Sequence, residues 1–213
     1  MIYFIGIKGT GMAALATMLY DLGYEVMGSD IEKHFFTQDE LEKRNIKILP
    51  FDKDNIKDNY TVIIGNAFLE DFEEVVAARN NKTCTCYRYH EYLGKMIDDY
   101  HSICVCGSHG KTNMMGAFYN TAYLIGDGEG YINKDSEFLC VEACEYRRHF
   151  LAYHPDYAII TNIEIDHIDY FKDEEDYFNA YQEFVHNVKK GIFYCGDDEW
   201  CQKLEIDIPK FSY

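Results

Sequence analysis

The apolar run Ile103-Cys104-Val105 leads into Cys106-Gly107-Ser108-His109-Gly110-Lys111-Thr112, and a helix-prone segment follows. A strand that breaks at glycines and re-enters as a helix belongs to an α/β layer, where the helix packs back on the sheet. Such glycines let backbone N–H groups close around phosphate oxygens, and the helix N-terminus adds partial positive charge. Lys111 is placed to reach terminal phosphates, and the Thr112 hydroxyl to hold Mg²⁺. The usual spacing puts a glycine where Val105 stands; Gly107 replaces it, so the loop is a shorter variant. The same residues also read as a plain strand-to-helix turn with a solvated lysine.

A related layout opens the chain. Ile2 to Ile5 reads as a buried strand, Gly6-Ile7-Lys8-Gly9-Thr10-Gly11 as a glycine turn, and Met12 to Leu22 as a helix. The order Gly-x-x-Gly-x-Gly departs from the dinucleotide fingerprint Gly-x-Gly-x-x-Gly, which argues against a nicotinamide cofactor. Strands are expected near 25–27, 46–49, 61–64 and 83–87, with helices over 38–44, 70–79 and 91–97. The second half expects a strand into the glycine loop and a short helix over 113–121. A loop over 123–128 comes next, then strands at 138–142, 157–161, 192–195 and 210–213. Helices are expected over 173–188 and 199–204. The alternation means parallel sheets covered by helices, with a border at Asp98-Asp99-Tyr100.

The 213 residues suffice for one large or two small domains. Twenty basic against 37 acidic residues leave a net charge of -17, which repels nucleic acids and anionic membranes. An anionic ligand then needs local positive charge from backbone N–H groups, lysine or a metal. No run is apolar and long enough for a membrane span, and residues 1–5 read as a strand rather than a secretion signal. The eight cysteines lack the Cys-x-x-Cys spacing common in zinc sites and fall partly in apolar runs. Reduced, mostly buried thiols of a cytoplasmic protein are expected.

In open parallel sheets, ligands bind at the carboxyl ends of strands. The Gly107–Thr112 loop, Glu142, Asn162 and His167 all fall at such ends. Glu142 and His167 can join Thr112 around Mg²⁺, although one histidine is unusual for that ion. Singly, Glu142 also reads as a solvated strand end and His167 as a loop residue or cap. Asp30, at the tip of the second strand, suits a ribose hydroxyl or a turn cap. Arg147-Arg148 can hold phosphates or a carboxylate, or can pair with nearby acids on a surface helix. His109 either touches substrate or fills the loop.

Four stretches, in order, resemble the Mur ligases of peptidoglycan synthesis: Gly6–Met12, Gly107–Thr112, Glu142-Ala143-Cys144-Glu145-Tyr146-Arg147-Arg148-His149-Phe150, and Thr161-Asn162-Ile163-Glu164-Ile165-Asp166-His167. Within that family they stand closest to the Gram-positive members that join L-alanine to UDP-N-acetylmuramic acid. The resemblance implies a Rossmann-like N-terminal domain over 1–98 that binds the UDP-sugar. It implies a P-loop-type central domain over 99–213, incomplete, and a C-terminal domain that is absent. The family moves the γ-phosphate of ATP onto a carboxylate, and an amine then attacks the acyl phosphate. By motif, Gly107, Ser108, His109, Gly110, Lys111 and Thr112 bind ATP, with Thr112 and Glu142 on Mg²⁺ and His167 at a second metal or its waters. Lys111, Glu142 and His167 form the catalytic set. Gly6, Gly9, Thr10, Gly11, Met12, Asp30, Asn66 and Ala67 hold the UDP-sugar, with Arg147, Arg148 and Asn162 as further substrate contacts. Asn113-Met114-Met115 departs from the small residues the family prefers there.

Three functions are thus set against one another: an ATP-dependent ligase or part of one, a non-catalytic UDP-sugar-binding relative, and a nicotinamide-linked oxidoreductase suggested only by the first glycine turn.

Overall fold

The computed structural model describes residues 1–111 and 121–213. Thr112 and the helix expected over 113–121 therefore fall largely outside the described residues. The chain divides by its contacts into two units. One holds Met1–Tyr92 and Leu124–Asp135; the other holds Leu93–Tyr123 and Ser136–Tyr213. The division falls inside helix α4 (Tyr89–Asp99) rather than at 98/99.

The first unit is built on β1 (Ile2–Ile5), β2 (Val26–Ser29), β3 (Lys47–Leu49), β4 (Thr61–Ile64) and β5 (Thr85–Arg88), in the order β3-β2-β1-β4-β5. All four pairings are parallel, with Ile2 opposite Val26 and Thr61. All four residues of β1 are buried, as expected of a central strand covered on both faces. Between the strands run α1 (Thr10–Asp21), α2 (Gln38–Lys43) and α3 (Glu73–Asn80). Tyr3, Ile5, Val62 and Ile64 from the strands pack with Val75 and Ala78 of α3.

Within that apolar layer lies one buried carboxylate, Glu74. Its oxygens accept from Tyr3 Oη at 3.0 Å, from Ser29 Oγ, from the Asp52 backbone N–H at 3.0 Å and from Asn55 Nδ2 at 3.0 Å. Four donors satisfy a group that would otherwise be costly to desolvate, and they tie α3 to β1 and β2. Burial, set against the Ser29 hydrogen bond and reinforced by the Glu74 charge, pushes the Tyr3 hydroxyl pKa well up.

The second unit is centred on β6 (His101–Cys106), β9 (Phe138–Glu142), β10 (Tyr157–Ile160), β11 (Gly191–Tyr194) and β12 (Lys210–Ser212). β12, β11, β10, β6 and β9 lie side by side in that order and pair in parallel. The stretch 123–128, expected as loop, is a correction: Ala122–Leu124 is strand β7, followed by a turn and a two-residue strand β8 (Gly130–Tyr131). Glycines around Asp127 mark the turn and hid the three-residue strand beside it.

Helix α5 (Glu174–Val185) starts where its charge pattern places it. Asp173 caps it by accepting from the Asp176 N–H at 2.8 Å, and Glu174, Glu175 and Asp176 load its first turn. It ends before Lys189 and Lys190, which instead pair with Asp98 and Asp156, each at 2.7 Å. Phe184 and Tyr181 of α5 pack on Phe150 at ring-centroid distances of 4.6 and 5.4 Å. A short helix α6 (Glu199–Lys203) is capped by Asp198. All eight cysteines are free thiols; Cys104, Cys106, Cys140 and Cys201 are buried. No helix among the described residues is long and apolar enough to cross a membrane.

Candidate functional site

In the first unit, Gly6, Gly9, Thr10, Gly11, Met12, Asp30, Asn66 and Ala67 all line one cavity of about 480 Å³ at the carboxyl ends of the strands. The turn needs glycine at its first position. Gly6 has φ +82°, and a Cβ there would lie 2.1 Å from the Phe68 ring. The N-terminus of α1 opens into the turn with no acidic residue in its first turn, so its amide dipole is free to face an anion.

Asp30 organises this cavity. Its two oxygens accept from the backbone N–H groups of Lys8 at 2.7 Å and Ile31 at 2.8 Å. The Lys8 ammonium is spent on the carbonyls of Ile31 and Lys33, at 2.8 and 3.1 Å, and Thr37 Oγ1 donates to the Lys8 carbonyl at 2.6 Å. The segment after β2 is thereby stitched to the glycine turn. Sequence reasoning did not find Phe35, Phe36, Phe68 and Tyr89, which supply aromatic lining. Nothing in their local pattern marks them. His90 stands 3.2 Å from the Asn66 side chain, and burial lowers its pKa.

In the second unit, the glycine loop leaves β6 between its two neighbours. Gly107 has φ +131°, and a Cβ there would meet Thr161 Oγ1 at 2.1 Å and the Asn162 backbone at 3.0 Å. The end of β10 grips the loop from that side. Asn162 Oδ1 accepts from the His109 N–H at 3.0 Å, and Thr161 Oγ1 donates to the His109 carbonyl at 2.5 Å. Lys111 folds back on the loop, donating from Nζ to the Gly107 carbonyl at 2.6 Å. On the other side, Val105 stands opposite Glu142 in the parallel register, and the Ala143 N–H donates to the Val105 carbonyl at 2.9 Å. Glu142 thus ends the strand beside the one that feeds the loop. Cys144, two residues on, is exposed, and the protein packed around its thiol raises its pKa, with Glu145 adding to the rise and the Tyr146 backbone N–H opposing it.

His167 is held in an uncommon backbone conformation, φ +52°. Asp166 Oδ1 accepts its N–H at 2.7 Å, and its carbonyl accepts from the N–H groups of Tyr170 and Phe171 at 2.8 and 3.1 Å. A non-glycine residue in this region costs about 1–3 kcal/mol and is found where surrounding contacts over-determine it. Its ligand atom lies within 4.8 Å of one oxygen each from Glu145 and Asp166. Glu142 lies outside this group, and Thr112 lies outside the described residues. Two carboxylates with one imidazole are a donor set that fits a divalent cation with oxygen preference.

The basic cluster divides. Arg147 and Arg148 both take left-handed backbone, at φ 52° and 58°, inside the 3₁₀ segment Tyr146–Ala152. They are not on a regular surface helix. Arg148 Nη2 donates to Asp176 Oδ1 at 2.7 Å, a clamp between this turn and the start of α5. Arg147 lies over the Tyr146 ring at 5.4 Å. His109 is exposed, with its ring 3.8 Å from Glu164.

Fold and site together define a two-unit α/β protein that presents a glycine turn and a phosphate-type loop at the carboxyl ends of parallel strands. Residues 1–101 match the model described as Mur ligase family, catalytic domain, and residues 80–213 match the Mur ligase middle domain. The chain belongs to the Mur ligase family, the ATP-dependent ligases of peptidoglycan synthesis.

Solved structures agree on the fold. One is the UDP-N-acetylmuramate:L-alanyl-γ-D-glutamyl-meso-diaminopimelate ligase from Neisseria meningitides, at 25% identity and TM-score 0.83, covering 99% of this chain and 76% of that one. Another is the UDP-N-acetylmuramate-alanine ligase from Thermotoga maritima, at 24% identity and TM-score 0.78, covering 100% and 52%. A murein peptide ligase from Psychrobacter arcticus gives 21% and 0.79, with the same 100% and 52% coverage. The chain therefore spans about half the length of the latter two and three quarters of the first.

Proposed function

We propose that this chain carries the UDP-sugar-binding domain and part of the ATP-binding domain of a cytoplasmic ligase that joins L-alanine to UDP-N-acetylmuramic acid. The observation that carries this reading is the placement of the glycine loop, Glu142 and Asn162 on three adjacent parallel strands, β9, β6 and β10. Phosphoryl transfer asks a protein chiefly for positioning and charge neutralisation, and this acidic chain supplies positive charge locally at that point.

In the proposed reaction, a lactyl carboxylate oxygen attacks the γ-phosphorus of ATP, and the bond to the bridging oxygen of ADP breaks. The amine of L-alanine then attacks the acyl carbon and phosphate leaves. The backbone N–H groups of the loop and the Lys111 ammonium bind the phosphates, with Lys111 exchanging its bond to the Gly107 carbonyl for phosphate oxygens. Glu142 and Thr112 would hold Mg²⁺, which when bound neutralises phosphate charge, and His167 would serve a second metal or its waters. The cavity of the first unit binds and orients the UDP-sugar through the α1 N-terminus, with Asp30 holding its wall in shape. Arg147 remains a candidate for a substrate anion, and Arg148 serves as a clamp.

A second reading is a UDP-sugar-binding relative without catalysis, favoured by Asn113-Met114-Met115 standing where the family prefers small residues. Isothermal titration separates the two. The ligase reading expects ATP with Mg²⁺ and UDP-N-acetylmuramic acid each to bind, and Lys111→Ala to abolish the first while sparing the second. Sugar-nucleotide binding with no ATP binding favours the relative, and ATP binding unchanged in Lys111→Ala sinks the role of the lysine.

A further inference from the structure

Three residues after Glu142 lies a second carboxylate, Glu145, grouped with Asp166 and His167 above but given no role in the proposed reaction. It is 1% exposed. Its Oε1 accepts from Tyr177 Oη at 3.2 Å and faces His167 Nε2 at 3.7 Å. Its Oε2 makes no hydrogen bond among the described residues. The Tyr177 hydroxyl in turn lies 3.1 Å from Ser108 Oγ, in the glycine loop, and 3.4 Å from the Tyr181 hydroxyl. Ser108 Oγ donates to the Glu164 carbonyl at 2.5 Å and accepts from the Glu164 N–H at 3.1 Å.

These contacts form one chain from the loop to the imidazole. Each hydroxyl carries a single proton. Because a carboxylate only accepts, the Tyr177 proton points to Glu145. Tyr177 is then left as an acceptor toward Tyr181 and toward Ser108, whose single proton is shared between the Glu164 carbonyl at 2.5 Å and Tyr177 Oη at 3.1 Å. The chain is polarised in one direction when the Ser108 proton turns to Tyr177, and loss of the Tyr177 hydroxyl removes that choice and leaves Ser108 on the Glu164 carbonyl. Glu145 stands behind His167 rather than at the surface with it, since the His167 side chain is 33% exposed against 1% for Glu145. At 3.7 Å the carboxylate meets the imidazole as a charge contact and biases the way Nε2 points. The strained backbone at His167 and the two left-handed arginines after Glu145 hold the backbone on both sides of this contact.

We infer that Glu145 and Tyr177 are positioning residues that couple the geometry of the phosphate loop, at Ser108, to the orientation of His167. The inference rests on the reading of this loop as an ATP site. It assigns Tyr177, 69 residues away in sequence from Ser108, a task beyond packing.

The test uses the full chain, with ATP affinity read by isothermal titration and the His167 ring read by imidazole ¹⁵N resonances. Tyr177→Phe keeps the ring packing and cuts the chain. It is expected to weaken ATP about 3–10-fold, the loss of one hydrogen bond, and to move the His167 resonances although the hydroxyl touches Glu145 rather than His167. Glu145→Gln, which keeps an acceptor for Tyr177, is expected to move those resonances as well. Wild-type ATP affinity in Tyr177→Phe, or unmoved His167 resonances, overturns the inference alone. A wild-type chain that does not bind ATP overturns the site reading and the inference together. If Tyr177→Phe loses its fold by circular dichroism, Ser108→Ala cuts the same chain at the loop and is judged by the same two readouts.

Discussion

Asn162 Oδ1 accepts the backbone N–H of His109 at 3.0 Å, so a side chain just past the end of β10 holds the glycine loop after β6 in shape. With Thr161 Oγ1 bonded to the His109 carbonyl, both backbone groups of one loop residue are fixed by the neighbouring strand. Asn162→Ala is expected to weaken ATP about 3–10-fold by loosening the loop, with UDP-N-acetylmuramic acid affinity unchanged. Isothermal titration with each ligand checks it; equal losses for both would count against a local effect.

Gly107→Ala meets two obstacles at once. Its φ of +131° is unfavourable to any side chain, and the new Cβ collides with the Asn162 backbone, which cannot move aside as a flexible side chain would. Overpacking and backbone strain each cost about 1–3 kcal/mol. A fall in melting temperature with loss of ATP binding is expected. A variant as stable as wild type would show that the loop approaches β10 less closely than the distances here.

Glu74→Ala removes the acceptor of Tyr3, Ser29 and Asn55 inside the first unit. Breaking a buried network of this kind costs about 3–5 kcal/mol. Urea denaturation should show the loss, with Glu74→Gln less affected because one of its amide atoms still accepts. A change below about 1 kcal/mol would mean that water replaces the carboxylate there.

Asp156 gives a pH-dependent contribution in the second unit. Burial raises its pKa, but hydrogen bonds from Lys190 and His101 outweigh that and leave it below the ordinary carboxylate range. A carboxylate depressed in the folded state stabilises above its unfolded pKa of about 3.9 and loses that contribution as pH falls through the folded value. The stability difference between wild type and Asp156→Asn should be level above about pH 5 and shrink below about pH 4. Denaturant midpoints of both proteins across pH 3–7 decide it, and a difference that grows on acidification would contradict the pairing.

Much of the fold was legible because strands and helices announce themselves by local period. Buried runs such as Ile2–Ile5 need no partner to be read, and the acidic first turn of α5 marks its own start. The strand Ala122–Leu124 was missed because three residues beside a glycine turn carry too short a pattern. Of the basic pair, Arg148 was legible as a cation but not as a clamp, since Asp176 lies 28 residues on. The aromatic wall of the first cavity, Phe35, Phe36 and Tyr89, carried no signal, because lining a cavity depends on what faces it.

The chain alone thus determined the alternation of strands and helices and the two glycine turns. It also placed Lys111, Glu142, Asn162 and His167 at strand ends, for these follow from neighbours a few residues apart. Tertiary structure alone decided which of two glutamates, Glu142 or Glu145, is enclosed. Glu145 is shut in by Tyr177, 32 residues further along, and nothing within one turn of either carboxylate foretells that. Burial and long-range hydrogen bonds are properties of packing, and packing is set by segments that meet only once the chain has folded.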